Sequence, residues 1–252
     1  MRSEPKRPVA RLLRSEMRII FSVVLVVIGI LLGPGLLATS AADDDGVALG
    51  ILYDTSGSMN EPVPNSHGST SPKYIIANRA VLAIVKQIQT FTTNGVTGAP
   101  RKVDVGLFTF SKDGAQEVVK LGAFDPGAIE KWVKDFSKPS GGTPLGNALK
   151  TVSQAVIDSP MPRKHVLVIT DGANTIGPAP DRVIPDINRA ADKKQTSVFT
   201  HFIAFDVDAK VFSGVKKQGA NVASAADESQ LNSQLDFILQ NQILLEKPSN
   251  KK

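Results

Sequence analysis

Short, almost wholly apolar runs punctuate this chain, and they leave few folds open to it. Val47-Ala48-Leu49-Gly50-Ile51-Leu52-Tyr53 has no charge and a single phenol as its only polar group. Val166-Leu167-Val168-Ile169-Thr170 reads the same way, and Val103–Phe110 departs from it at Asp104 and Thr109. Apolar character that continues along a strand, rather than alternating, marks a strand covered on both faces. Between these runs the period changes. From Lys73 to Thr92 the residues Ala77, Ala80, Val81, Ile84, Val85, Ile88 and Phe91 form one helical stripe, which suits a helix lying on a sheet. Strand and helix in alternation predict an α/β domain with a mainly parallel sheet.

The remaining segments extend that pattern. Gln116–Leu121 reads as a short strand, reached through Ser111-Lys112-Asp113-Gly114, a turn suited to an antiparallel edge hairpin. Helices are expected over Pro126–Phe136, with Asp125 as N-cap and Trp132 as a packing residue, and over Leu145–Ile157, Pro180–Lys194 and Lys210–Gln218. Ser197–Phe205 reads as a strand, Asn221-Val222-Ala223 as a short edge strand and Glu228–Leu244 as a terminal helix. Residues 60–72, rich in proline and polar side chains, read as a loop that either rims a binding face or is a plain surface insertion. No internal repeat is visible.

Residues 1–42 form a separate unit of sequence. Six basic residues and two acidic ones give it +4 of the chain's +5, so the remainder carries no broad basic face and nucleic-acid binding is not expected. Arg18 is followed by the apolar stretch Ile19–Leu32, then Gly33-Pro34-Gly35 and small residues up to Ala42. A basic flank, an apolar core and small residues describe a secretory signal peptide, with Ser40 and Ala42 suited to positions before a cut at Asp43. Ile19–Ala38 is also long enough to serve as an uncleaved signal anchor, although Pro34 interrupts it. Both readings bring this segment to a membrane, during export or as an anchor, and deliver the domain outside the cytoplasm, to the periplasm, the exterior or the outer face of the membrane. Asp43-Asp44-Asp45 reads as an acidic linker, and residues 245–252 as a polar tail. With no cysteine in 252 residues, disulfides, thiolate metal sites and cysteine nucleophiles are all excluded.

The first apolar run ends in Asp54-Thr55-Ser56-Gly57-Ser58. One carboxylate and two hydroxyls at alternate positions, at the point where a buried strand becomes a loop, make half of an oxygen cage for a hard cation. Gly57 allows the turn to tighten. Two later segments offer matching oxygens: Thr143 in Gly141-Gly142-Thr143-Pro144, and Asp171 in Asp171-Gly172.

Together the three segments resemble the von Willebrand factor A domain and its metal-ion-dependent adhesion site, whose pattern is Asp-x-Ser-x-Ser, a distant Thr and a distant Asp. The resemblance spans residues 46–244, and all five positions are met by Asp54, Ser56, Ser58, Thr143 and Asp171. It implies a doubly wound, Rossmann-like sheet of six strands with helices on both faces and one short antiparallel edge strand. It also implies a divalent cation, Mg²⁺ first, with Mn²⁺ or Ca²⁺ as alternatives. The implied partner is a protein or peptide presenting Asp or Glu, whose carboxylate completes the ion's shell. A second reading is a membrane-anchored interaction subunit of an envelope or secretion assembly.

Taken singly, the residues have plainer roles: Asp54 and Asp171 as turn formers, Thr143 as a helix N-cap. Enzymatic readings find less support. An aspartate-nucleophile phosphatase favours Asp-x-Asp, where this chain has Ser56. A serine triad would need His67, His165 or His201, and no Gly-x-Ser-x-Gly elbow accompanies them. A phosphate-binding Gly-x-x-x-x-Gly-Lys loop is also missing. A cation-dependent hydrolase is therefore the weakest expectation, and binding without catalysis the leading one.

Overall fold

The computed structural model describes residues 46–93, 102–112 and 114–245. The expected leader (1–42), the acidic linker (43–45) and residues 246–252 of the tail lie outside the described residues.

Among the described residues eight strands and six α-helices follow in chain order: β1 Val47–Asp54, β2 Pro62–Pro64, β3 Thr70–Pro72, α1 Lys73–Thr93, β4 Val103–Phe110, β5 Ala115–Ala123, α2 Pro126–Asp135, α3 Leu145–Asp158, β6 Arg163–Thr170, α4 Pro180–Lys193, β7 Val198–Phe205, α5 Ser213–Lys217, β8 Asn221–Ala225 and α6 Glu228–Ile238. Six strands make one sheet in the order β5-β4-β1-β6-β7-β8. All neighbours run parallel except β5, which returns antiparallel to β4 at the edge. This is the mainly parallel α/β arrangement that the residue pattern predicts, doubly wound with six strands as the family resemblance implies.

β1 lies inside the sheet, and all eight of its residues are buried. Leu49, Ile51 and Tyr53 point to the core beneath α1 and α6, while Ala48 and Leu52 point to the one beneath α3 and α4. Two-sided burial is what an uninterrupted apolar run is for, and each Leu or Ile withdrawn from water contributes about 1.5–3 kcal/mol. Gly50 sits on the α3 face, where a Cβ would stand 2.4 Å from Val152 Cγ2. α3 can approach β1 closely only because that position has no side chain.

Several boundaries differ from the sequence reading, each for a physical reason. Residues 60–72 are not all loop: β2 and β3 pair as a small antiparallel hairpin. Asn65 Oδ1 accepts from the amides of His67 at 3.0 Å and Ser69 at 3.1 Å, which folds the turn. The prolines sit at strand ends, where a missing ladder donor matters least. β6 begins three residues before Val166 because the cationic and aromatic side chains ahead of it find internal partners. Arg163 Nη1 donates to the Ile243 carbonyl at 3.0 Å, and His165 Nδ1 lies 3.2 Å from His201 Nε2. The edge strand β5 runs nine residues rather than six. The terminal helix changes at Leu239 into a π turn reaching Leu244, and 209–217 splits into a 3₁₀ turn followed by the short α5. Among the described residues no helix is long and apolar enough to cross a membrane.

One charged residue ties the hairpin to the domain. Glu228, buried at the start of α6, accepts from Arg79 Nε at 2.6 Å and from the Ser66 amide and hydroxyl at 2.9 and 3.0 Å. These bonds, the Arg79 one foremost, hold its carboxyl at about 2, against an ordinary 4.5. A carboxylate whose folded value is depressed stabilises the protein fully above its unfolded value and loses that contribution as pH falls through the folded one. Because Arg79 is partly exposed, the effect is on the order of 1–2 kcal/mol after screening. Glu228→Gln should therefore lower unfolding free energy by about that amount at pH 7. In urea titrations the gap between variant and wild type should close between pH about 4.5 and about 2. A gap that stays constant over that range would remove the proposed ion pair.

Candidate functional site

Parallel pairing of β1 with β6 runs from Val47 opposite Arg163 to Tyr53 opposite Ile169, so both strands end at the same edge of the sheet. Asp54 is the last residue of β1 and Asp171 directly follows β6. Two carboxylates thus stand side by side at the carboxyl edge, where open α/β sheets place their ligand crevices.

A short 3₁₀ turn, Gly57–Asn60, follows β1 and folds Ser58 back beside Ser56. Their hydroxyls lie 3.2 Å apart. The Ser58 hydroxyl donates to Asp171 Oδ1 at 2.8 Å. The Ser56 amide donates to Asp54 Oδ1 at 2.8 Å, and the Thr170 hydroxyl to Asp54 Oδ2 at 2.6 Å. Four of the five predicted residues are therefore joined through hydrogen bonds. Thr143 arrives through its backbone. The 139–143 segment is strapped onto the first loop by Gly57 N to Gly141 O at 3.0 Å, Ser140 N to Thr55 O at 2.9 Å and Asn60 Nδ2 to Pro139 O at 3.0 Å. Gly141 takes a positive φ of 86°, a conformation other residues rarely adopt. Thr143 is only 4% exposed, and its hydroxyl makes no hydrogen bond to the other four side chains.

The plainer roles are partly right. Asp54 does form a local turn with Ser56, but Thr143 is not a cap, since the N-cap of α3 is Pro144, which offers no side-chain bond. That helix start is capped from outside: Asn174 Oδ1 accepts from the Gly146 amide at 3.0 Å, and Thr175 Oγ1 accepts from the Thr143 amide at 2.8 Å.

Burial dominates the electrostatics. Asp54 is fully buried, and desolvation, reinforced by the nearby Asp171 charge, pushes its carboxyl up to about 6 despite the bonds from Ser56 and Thr170. Among the described residues no basic side chain pairs with it. Asp171 is different, because its Oδ2 accepts from Lys73 Nζ at 3.0 Å. Burial pulls the Lys73 ammonium down, but bonds to Glu61, Asp171 and Asp206 outweigh that and hold it above its ordinary value. A cleft of about 440 Å³ opens next to the loop that follows β1, lined by Thr55, Phe110, Trp132, Phe136, Lys138 and Ser140 and by none of the five candidate residues. Trp132 packs there as expected, stacked on Phe136 and edge-on to Tyr53.

Lys73, Thr170, Asn174, Thr175 and Asp206 escape sequence reasoning. Each becomes visible only when distant loops meet, and Lys73 looks like an ordinary helix start.

The donor set fits a small hard cation. Two oxygens bound at about 2.1 Å and at right angles to each other stand about 3.0 Å apart, close to the separation of the two serine hydroxyls. No group of three or more His, Cys, Asp or Glu side chains converges as a metal site among the described residues. A set of two carboxylates and three hydroxyls is of another type.

A mainly parallel sheet with helices on both faces and loops gathered at its carboxyl edge places the domain in the doubly wound α/β class. Residues 49–236 match the von Willebrand factor type A domain, and the chain belongs to that family. No curated protein matches it by sequence. Among solved structures it is similar to the PilB minor pilin of Streptococcus sanguinis, with 15% identity and a TM-score of 0.57 over 77% of this chain and 60% of that one. It is similar to proximal thread matrix protein 1 of the mussel byssus, solved with a zinc-occupied MIDAS motif, with 21% identity and a TM-score of 0.55 over 78% of this chain and 48% of that one. The vWF domain of the type V pili tip protein Mfa5 from Porphyromonas gingivalis matches with 13% identity and a TM-score of 0.54, over 78% of this chain and 95% of that domain. The chain thus spans about 60% of the pilin and about half of the byssus protein. At these identities each likeness shows the fold.

Asn174→Ala should remove the cap of α3 and leave the Gly146 amide unpaired, at about 1 kcal/mol. Thermal unfolding should shift down by about 2–4 °C for a domain of this size. An unchanged midpoint would mean that water replaces the cap without loss.

Proposed function

We propose that this domain is a cation-dependent protein-binding module. Asp54, Ser56, Ser58, Thr143 and Asp171 would hold one divalent ion, Mg²⁺ first; Mn²⁺ suits the same shell, and Ca²⁺ suits so compact and hydroxyl-rich a set less well. The observation that carries this reading is Asp54: a fully buried carboxylate, raised to about 6, with hydroxyl and amide donors around it and no basic partner among the described residues. A buried charge with no counter-charge is unfavourable unless an ion supplies one.

When bound, the ion supplies an open coordination position for a carboxylate of the partner. The chain's own residues do the remaining work. Ser56 and Ser58 offer neutral oxygens, so they orient without cancelling charge. Thr170 fixes the Asp54 carboxylate by one oxygen. The cleft at Trp132 and Phe136, which Thr55 of the first loop also lines, would give room for another side chain of the partner. The pilus and byssus proteins of similar fold, one with zinc at the corresponding motif, are in keeping with an extracytoplasmic binding role. So is an N-terminal segment of the export type. Anchoring of residues 19–38 would make the domain an interaction subunit of a membrane assembly, and cleavage before Asp43 would make it a soluble binder. N-terminal sequencing of the mature protein separates the two.

Pull-down from the native envelope, with Mg²⁺ and then with chelator, tests the proposal. A partner should be retained with Mg²⁺, released by chelator and missing from Asp54→Ala bait. Retention that is indifferent both to chelator and to Asp54→Ala would overturn it.

A further inference from the structure

Lys73 is a buried cation at a helix start that does not itself favour one. It is buried at 2% exposure, and it is the first residue of α1, a 21-residue helix with no acidic side chain in its first turn. The helix dipole disfavours positive charge at that end. Its ammonium nevertheless has three carboxylates around it: Glu61 Oε2 at 2.9 Å, Asp171 Oδ2 at 3.0 Å and Asp206 Oδ2 at 3.1 Å. An ammonium has three donors, so all are taken. The acceptors come from three separate segments: the one before the hairpin, the end of β6 and the end of β7. Asp206 meets it from a left-handed backbone, φ 53°, which a non-glycine residue adopts only under constraint. Asp171 is thereby divided. Its Oδ2 is on Lys73, and its Oδ1 accepts from Ser58 within the candidate site.

We propose that Lys73 is the resident counter-cation of this site. It locks Asp171 through Oδ2 so that only Oδ1 faces the serine pair, and it keeps the three loops assembled whether or not a divalent ion is present. It also offsets the charge of Asp171, leaving Asp54 as the main anionic ligand. A divalent ion held there is under-neutralised, bound more weakly by the domain and more strongly attracted to a partner's carboxylate. The inference rests on the cation reading above and adds what sets the affinity of that same site.

The test uses the full chain with Mn²⁺ and Mg²⁺ as probes, by titration calorimetry and by thermal unfolding in chelator. Lys73→Met keeps the length of the side chain and removes its charge. It should bind Mn²⁺ at least about tenfold more tightly, since a unit charge about 6 Å from a doubly charged ion costs about tenfold in affinity even at the dielectric of water, and more inside a protein. It should also unfold at a lower temperature in chelator and recover more on adding Mn²⁺ than wild type does. A purely structural lysine predicts the opposite sign, because a disordered site binds more weakly. Folded Lys73→Met with equal or weaker Mn²⁺ affinity overturns the proposal. Should that variant not fold, Glu61→Gln decides, since the Glu61 side chain is 66% exposed and its loss is tolerable. With less of its charge offset, Lys73 should then lower Mn²⁺ affinity severalfold, and unchanged affinity overturns the proposal. Wild type that binds neither ion, matching Asp54→Ala, overturns the cation reading itself and this inference with it. Binding by wild type alone leaves only the role of Lys73 at stake.

Discussion

Negative charge buried at the carboxyl edge of the sheet governs how this domain is built. Asp54 and Asp171 emerge from adjacent parallel strands with almost no exposure, and Asp206 and Glu61 approach from the neighbouring loops. Carboxylates removed from water must be paired or must give up their charge. Lys73 settles the matter for Asp171, and the more exposed Glu61 and Asp206 take the ammonium's other two donors. Asp54 has no such partner among the described residues, only an amide and a hydroxyl as donors. The two strand-end aspartates are thus unlike: Asp171 is paired from within by Lys73, and Asp54 is held by an amide and a hydroxyl alone.

The fold makes that asymmetry rigid. Parallel register between β1 and β6 fixes the separation of the aspartates, and two-sided burial of both strands keeps the register from slipping. Loops over the edge are joined by backbone bonds, Gly57 to Gly141 and Ser140 to Thr55, rather than by side chains alone. Behind them, Asn174 and Thr175 brace the start of α3, and Glu228 braces the hairpin that carries Glu61 at its base. Bracing of this kind limits how far the loops at the carboxyl edge can move relative to one another.

Much of this was readable from residue order. The apolar runs at 47–53 and 166–170 announced two-sided strands, and the stripe from Ala77 to Phe91 announced α1 to within a residue. The candidate site was legible because its three segments each sit at a recognisable boundary between strand or loop and helix. What sequence hid were features created by distance in the chain. Lys73, Glu61 and Asp206 are separated by up to 145 residues, and nothing local marks them as a cluster. Arg163 and His165 masked the start of β6 because charge and imidazole read as loop until Ile243 and His201 are seen to receive them. The hairpin at 62–72 was hidden by its prolines, which argue against strands except at the ends and edges where these lie.

A crystal structure of the domain grown with Mn²⁺, phased for the ion's anomalous signal, examines the central claim most directly. One peak is expected above the carboxyl edge, within about 2.0–2.3 Å of the Ser56 and Ser58 hydroxyls, with Asp54 facing it and Asp171 still joined to Lys73. A peak located elsewhere on the molecule, or none at saturating Mn²⁺, would contradict it.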